Sequence, residues 1–258
     1  MGFLYNGISS QSMKVKAHLT GWQVSPTLRS NTETVPGKAG VADFGADSGE
    51  RYIDVNCNVY PQKSFADMVA ILDRVAAWLD PTGGTRQLVL DDVPDRYFQA
   101  RLSDAVDCER LLRAAGAFTL RFLCPDPYAY ALDDEAFVIS SAGTHEITRE
   151  IGNMDSEPVY LLRGTIPSGT SSYVSIITNG EELRITGPLA ASEILVVDTG
   201  MVTAKVTDSA GNTLRNGLPC LQELSFPVLR RGMNTLEISA AGGASFAELR
   251  IQAKSRWR

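Results

Sequence analysis

The sequence predicts a mostly β protein that consists of a β-rich N-terminal domain with one α-helix and a C-terminal β-sandwich or jelly roll. Three observations support this class: runs in which apolar and polar residues alternate, a single apolar stripe at helical spacing, and turn signals that recur throughout the second half. A length of 258 residues is sufficient for two ordinary domains.

The first part of the chain predicts short strands separated by turns. In residues 14–19, Val15, Ala17 and Leu19 alternate with polar neighbours, and this period of two is typical of a half-buried strand. Residues 51–59 alternate in the same way.

Between these strands the sequence predicts a long hairpin. Residues 20–26 and 33–37 would be its two arms, and residues 29–32 would be its tip. The tip is too polar to belong in a core, so we expect the hairpin to extend from the domain.

Residues 64–79 predict an α-helix. Ser64 can cap it, with Asp67 three residues further on as an acidic variant of the capping box. Apolar residues then recur every three or four positions and form one stripe, namely Phe65, Met68, Val69, Leu72, Val75, Ala76 and Leu79. Because Leu72 lies in the middle of this stripe, Leu72→Asp is expected to unfold the first domain. Proline and glycine residues in 80–84 end the helix.

Two interpretations are open for the segment that precedes residue 113. Residues 106–112 predict the first strand of a hairpin, with 113–117 as its loop and 118–124 as its second strand. Residues 108–114 also have good helix propensity.

The composition changes after residue 124. Pro125 and Pro127 exclude a central strand because each proline removes a donor from the ladder. From residue 135 onward no helix is predicted, and short β-rich runs alternate with turn signals. We therefore place the boundary near residue 132, between domains 1–132 and 133–258.

The charge balance excludes one class of function. The formal net charge is −6, with 24 Lys and Arg against 30 Asp and Glu. Sequence-independent binding of DNA or RNA is not expected, because it requires an excess of basic residues. No stretch approaches the ~20 apolar residues that cross a bilayer, and the N-terminus lacks the features of a secretory signal. We expect no membrane association, and folding in a cytoplasm.

No pattern points to a metal or a cofactor. The four cysteines are Cys57, Cys108, Cys124 and Cys220. None has a close Cys or His partner in the sequence, which favours buried, reduced thiols over a zinc site.

The candidate catalytic residues are few. Asp91, Asp92 and Asp95 could supply the carboxylate pair of a glycosidase, but their spacing is more typical of a turn. His18 and His145 are the only histidines, and we interpret both as surface residues. Nucleophile, phosphate-loop and metalloprotease motifs are absent, so the protein is not expected to be an enzyme.

Several segments, taken in order, carry a resemblance over nearly the whole chain. They are Phe-Leu-Tyr-Asn-Gly at 3–7, the Val-Pro-Gly turn at 35–37, the helix followed by Thr-Gly-Gly at 82–84, the Arg-Tyr and Ala-Arg-Leu segment at 92–102, the strand and its exit at 118–130, and the Pro, Leu and Gly-Met-Asn segment at 226–236. Together they resemble the distal tail protein family of siphophages.

The resemblance implies a structural protein at the distal end of a phage tail, assembled in the host cytoplasm. The N-terminal domain would form a hexameric ring, and the C-terminal domain would be a galectin-like β-sandwich outside it. The ring would join the tail tube protein to the tail-associated lysin or spike. DNA would pass through its channel without specific binding.

Within this interpretation we expect the ring interface in the predicted hairpin. The candidates are Trp22, Val24, Val35, Pro36 and Gly37. Open strand edges can be completed by a neighbouring subunit, and tryptophan is a typical interface anchor. A mobile surface hairpin is the alternative interpretation.

Two other functions are open. The second domain could be a carbohydrate-binding module for a host cell-wall sugar, with Tyr160, Tyr173 or Trp257 as a stacking platform. In the first domain, Trp22 and Trp78 could serve in the same way if they are exposed. The third possibility is a wall hydrolase, for which the sequence offers no recognisable constellation.

Overall fold

The computed structural model describes residues 1–112, 115–169 and 171–258. By its internal contacts the chain divides into two compact units, residues 1–132 together with Arg258, and residues 133–257. We call them the first and the second domain. Strands dominate both, and the predicted mostly β class is confirmed. None of the helices formed by the described residues is long and apolar enough to span a membrane.

The first domain contains eleven of the strands and the α-helix. The strands are β1 (Phe3–Tyr5), β2 (Ile8–Ser9), β3 (Val15–Leu19), β4 (Leu28–Glu33), β5 (Ala42–Ser48), β6 (Arg51–Val59), β7 (Arg86–Leu90), β8 (Val93–Leu102), β9 (Glu109–Leu112), β10 (Ala115–Cys124) and β11 (Ala129–Ala131). Helix α1 (Phe65–Trp78) and a 3₁₀ turn (Pro81–Gly83) lie between β6 and β7.

Most of these strands form one antiparallel network around an apolar core. Their order is β2-β1-β7-β8-β10-β6-β3, with β11 added to β8 and β9 added to β10. In the central pair, Phe118 lies opposite Cys57 and Leu120 opposite Val55. All four side chains are buried, because alternate residues of a strand point to the same face. Among the described residues, strands β4 and β5 pair only with each other.

The N-terminus of α1 is the one that the sequence predicts. The Ser64 hydroxyl accepts a hydrogen bond from the Asp67 amide at 3.1 Å, so one of the free amides of the first turn is satisfied. Trp78 closes the helix against the N-terminal strand: its ring stacks on Phe3 at 5.4 Å, and its indole nitrogen donates to the Tyr5 carbonyl at 3.0 Å.

The buried face of α1 includes Met68, Val75 and Leu79 of the predicted stripe, but the rest of the stripe is not buried. Ile71, which is outside that stripe, is only 2% exposed, whereas Phe65 and Val69 are exposed and Leu72 is half-buried. The helix is apolar over more than one face, so spacing alone does not decide which face meets the sheet. We therefore expect a charge at Ile71, and not at Leu72, to unfold the domain.

The segment before residue 113 is a strand and not a helix. Strand β9 pairs with the start of β10, placing Ala117 opposite Glu109. The predicted loop 113–117 is wrong for residues 115–117, which belong to β10. Residues 113 and 114 lie outside the described residues.

The second domain contains the remaining strands. They are β12 (Ala136–Ile139), β13 (Gly143–Arg149), β14 (Val159–Thr165), β15 (Tyr173–Thr178), β16 (Glu181–Ile185), β17 (Ile194–Asp198), β18 (Thr203–Thr207), β19 (Thr213–Asn216), β20 (Gly232–Ala241), β21 (Ser245–Gln252) and β22 (Arg256–Trp257), with a 3₁₀ turn at Leu218–Cys220. One sheet has the order β12-β21-β14-β17-β18-β19 and the other β13-β20-β15-β16. Both sheets contribute to one apolar cluster, for example Leu162 and Leu249 from the first and Ile176 and Leu183 from the second. The domain is therefore a β-sandwich.

A buried arginine fixes the turn that follows β13. Arg149 is fully buried, and its guanidinium donates to the carbonyls of Arg230 at 3.2 Å, Ile151 at 2.8 Å and Met154 at 2.5 Å. The Glu135 carboxylate accepts from the amide of Ile151 at 3.1 Å. Burial lowers the pKa of the Arg149 guanidinium from its ordinary value. The buried charge is tolerated because hydrogen bonds to three carbonyls replace the hydrogen bonds to water that burial removes.

Candidate oligomer interface

The most unusual surface of the first domain is the β4–β5 hairpin, residues 28–48, which we call the arm. All six residues of β4 are exposed, and β5 is exposed except for its half-buried ends. A six-residue strand is about 20 Å long. A two-stranded ribbon without a core beneath it is marginally stable in water, so the arm is the kind of element that gains stability from another surface.

The arm carries apolar side chains that nothing in its own domain covers. Val41 and Phe44 are exposed, Phe44 to 69%, and so are Leu28 and Val35. Exposed apolar residues scattered singly are ordinary. Several on one projecting element indicate a protein interaction site.

The base of the arm is firmly attached to the domain. Thr27 donates its amide to the Glu50 carbonyl at 3.1 Å and accepts from the Gly49 amide at 2.7 Å. Next to it, Gln23 accepts from the Tyr52 amide through its side chain at 3.0 Å and from Arg51 through its carbonyl at 3.1 Å. The flanking residues are thus part of the domain, and the projecting part begins at residue 28.

The structure corrects the predicted hairpin. Residues 29–32 are not its tip but the middle of β4, and the loop that reverses the chain is residues 34–41. Of the candidate interface residues, Val35, Pro36 and Gly37 lie in this loop and are exposed. A strand exposed on both faces has no apolar alternation, so its polar residues resemble a turn.

The other two candidates lie before the arm. Trp22 is 43% exposed, with its ring edge-on to Phe98 at 6.0 Å, and Val24 is 84% exposed. Three of the five candidate residues therefore lie in the loop of the arm, and the other two lie at its base.

A buried arginine lies beneath the base of the arm. Arg51 is 3% exposed, and its guanidinium carbon is 5.8 Å from the centre of the Phe98 ring. Within the described part of the chain, its Nε and Nη2 atoms have no hydrogen-bond partner. Burial lowers the pKa of this guanidinium. The carbonyl of Gln23 is its hydrogen-bond acceptor, which links the base of the arm to the start of β6.

A groove lies elsewhere in the first domain, between α1, β10 and the segment that follows β8. Its volume is about 600 Å³, within the ~300–1,000 Å³ typical of binding pockets. Its apolar lining includes Leu72 and Leu79 from the helix and Phe118 and Leu120 from β10. No sequence pattern indicates the groove, because it is formed by elements that are not adjacent along the chain.

The candidate catalytic residues do not form a site. Asp91 and Asp92 occupy the turn between β7 and β8, and Asp95 forms an ion pair with Arg96 at 2.8 Å, which lowers the pKa of its carboxyl group. His18 is exposed on β3. The ring of His145 contacts the Ser141 carbonyl at 2.9 Å.

Three of the four cysteines are buried, and Cys108 is half-buried beside the groove. Burial raises the pKa of the Cys57 and Cys124 thiols to about 12. Both are therefore protonated and unreactive at neutral pH. No group of three or more potential metal ligands occurs among the residues that the structure describes.

The tyrosines considered for sugar stacking are already engaged. Tyr160 is 1% exposed, and its hydroxyl contacts the Thr178 hydroxyl at 3.0 Å. The guanidinium of Arg184 lies over the ring of Tyr173 at 4.4 Å. The Tyr160 ring is therefore inaccessible, one face of the Tyr173 ring is occupied by Arg184, and the Trp78 ring is stacked on Phe3.

Comparison with known proteins relates this architecture to phage tails. Residues 9–124 match the family model of the phage tail protein RIFT-related domain. The matched residues cover most of the first domain and a little under half of the chain. No curated protein matches the sequence.

One solved structure extends the likeness in fold to the whole chain. The crystal structure of SPP1 Dit (gp 19.1), described as a paradigm of hub adsorption apparatus in Gram-positive infecting phages, has the same fold. The TM-score is 0.74 at 12% identity, over 100% of this chain and 99% of that one. Chains of the phage P2 baseplate in its activated conformation, with Ca and with Sr, give TM-scores of 0.45 and 0.48 at 8% and 10% identity, over 96% of this chain and 93% of each. The resemblance to siphophage distal tail proteins is thus confirmed.

Proposed function

We propose that this phage tail protein is a non-enzymatic adaptor that forms a hexameric ring at the distal end of the tail. The ring joins the tail tube protein to the tail-associated lysin or spike, and DNA passes through its channel without specific binding. The first domain forms the ring, and the second domain is a galectin-like sandwich outside it. Assembly takes place in the host cytoplasm. The observation that carries the proposal is the fold shared with SPP1 Dit over the full length of both chains.

The arm supports a ring built by the first domain. A ring needs a heterologous interface, in which one patch of each subunit meets a different patch of the next. The arm provides a projecting patch with apolar side chains and unpaired strand edges. We propose Trp22, Val24, Val35, Pro36 and Gly37 as part of this interface, together with the exposed Phe44.

Removal of the arm is expected to abolish the ring without unfolding the subunit. The variant replaces residues 28–48 by an Asn-Gly turn, because the Gly49 amide and the Thr27 carbonyl are only 2.7 Å apart and a short turn can join them. Light scattering and negative-stain microscopy should give six times the 27.9 kDa chain mass for the intact protein and a monomer for the variant. Circular dichroism should show that both are folded. A ring that survives the deletion would place the interface elsewhere.

The purified protein is expected to leave peptidoglycan intact. Asp92 lies in a turn and Asp95 is paired with Arg96, so neither contributes to an acid and base pair of the kind that glycosidases use. Turbidity of a cell-wall suspension should remain constant over hours. Clearing that disappears in Asp92→Ala or Asp95→Ala would contradict the non-enzymatic assignment.

A further inference from the structure

The loop of the arm, residues 34–41, is apolar, small and weakly charged. Its sequence is Thr-Val-Pro-Gly-Lys-Ala-Gly-Val, in which Lys38 is the single charged residue. Every residue of the loop is exposed. Its two glycines, Gly37 and Gly40, have φ of +82° and +80°, so the chain reverses in a conformation that side chains disfavour. The result is a narrow tip that can enter a groove.

The groove beside α1 has the complementary character. Much of its lining is apolar and includes Leu72 from α1 and Phe118 from β10. Asp73 and Asp104 are exposed at its margin, while its lining cation, Arg101, is half-buried. An apolar lining with two exposed carboxylates suits an apolar segment that carries one positive charge.

We propose that the tip of the arm of one subunit docks in the α1 groove of a second copy of this chain. The proposal rests on the ring described above and identifies its two complementary patches. Val35 and Val41 would contact the apolar lining, and Lys38 would lie near Asp73 and Asp104. Because tip and groove are different surfaces of the same domain, each subunit can use its tip on one neighbour and its groove on the other. This is the head-to-tail arrangement from which cyclic oligomers are built.

The first test compares two substitutions on one helix. Leu72→Asp places a carboxylate in the groove and is expected to reduce the assembled fraction at least tenfold at a fixed protein concentration. Val69→Asp is the matched control, since Val69 is on the same helix, is 37% exposed and does not line the groove. Light scattering measures assembly, and melting temperature verifies that both variants are folded. Equal assembly of the two variants would overturn the proposal.

The second test exchanges the charges. Lys38→Asp alone and Asp104→Lys alone are each expected to weaken assembly several-fold, because each sets like charges against one another. The double variant Lys38→Asp/Asp104→Lys is expected to recover most of the loss. Losses that simply add in the double variant would contradict the proposed pairing.

The third test detects the contact by cross-linking and requires no variant that is expected to assemble less well. Cys108 lies in the groove and is half-buried, whereas the other cysteines are buried. In Ala39→Cys protein, a short bismaleimide linker should join the tip of one chain to Cys108 of the next and give a ladder of cross-linked chains on a denaturing gel. Ala39→Cys/Cys108→Ser removes the groove thiol and should give no ladder. Leu214→Cys, exposed in the second domain, is the surface control.

The outcomes separate the docking proposal from the ring. The protein could form rings that give no cross-linked ladder and that Leu72→Asp does not weaken. That result would be consistent with the proposed function but would refute the tip-to-groove contact. A protein that remains monomeric at every concentration, with no ladder, would contradict both self-assembly and the docking proposal.

Discussion

Ile71→Asp is expected to unfold the first domain. Ile71 is 2% exposed and lies on the face of α1 that packs against the strands. Placing a carboxylate there removes a buried aliphatic side chain and buries a charge without a partner. The cost should be at least about 3–5 kcal/mol, a large part of the roughly 5–15 kcal/mol that stabilises a domain. Urea denaturation would measure the loss of stability, and hydrogen exchange would show which domain is affected.

Val69→Asp is the control for this prediction. It introduces the same carboxylate on the same helix at an exposed position, and a change within ~0.5 kcal/mol is expected. Exchange protection of the second domain should not change in either variant. If Ile71→Asp melts like the parent protein, the assignment of the buried helix face is wrong.

Arg149→Met is expected to destabilise the second domain by on the order of 3 kcal/mol or more. Three carbonyl oxygens lose a charged donor, and methionine has no donor to replace it. Water does not compensate readily, because the side chain is fully buried. The loss is measurable by urea denaturation, with faster amide exchange around Ile151 and Met154.

Arg163→Met serves as the matched control. Arg163 is exposed on β14, so its removal should change stability by less than ~0.5 kcal/mol. A variant at Arg149 as stable as the one at Arg163 would mean that the buried guanidinium contributes no net stability, as happens for some buried ionic groups.

Local features of the fold were predictable because they depend on neighbouring residues. The Ser64 cap, the extent of the helix and the alternation in β3 and β6 all follow from such patterns. The orientation of the helix was not predictable, because apolar residues surround much of α1. Ile71 and Leu72 are adjacent and equally apolar, and only the packed sheet distinguishes them.

The arm, as a hairpin, was predicted in part. The sequence indicated a projecting hairpin in the right region, but its strands were displaced along the chain, because β4 is solvated on both faces and shows no period of two. Neither the groove nor the burial of Arg149 is indicated by a pattern in the sequence. Both depend on segments far apart in sequence, and an isolated arginine in a β-rich run resembles any surface arginine.

The attachment of the arm has a mechanical consequence. A force on the tip acts through a lever about 20 Å long, and the resisting bonds lie at its base, from Thr27 to Glu50 and from Gln23 to Arg51. Arg51 is the first residue of β6, the strand that joins β3 to β10. A load received at the tip is therefore passed to β6 and, through its backbone hydrogen bonds, to β3 and β10. Because β6 is paired on both sides, several backbone hydrogen bonds share that load.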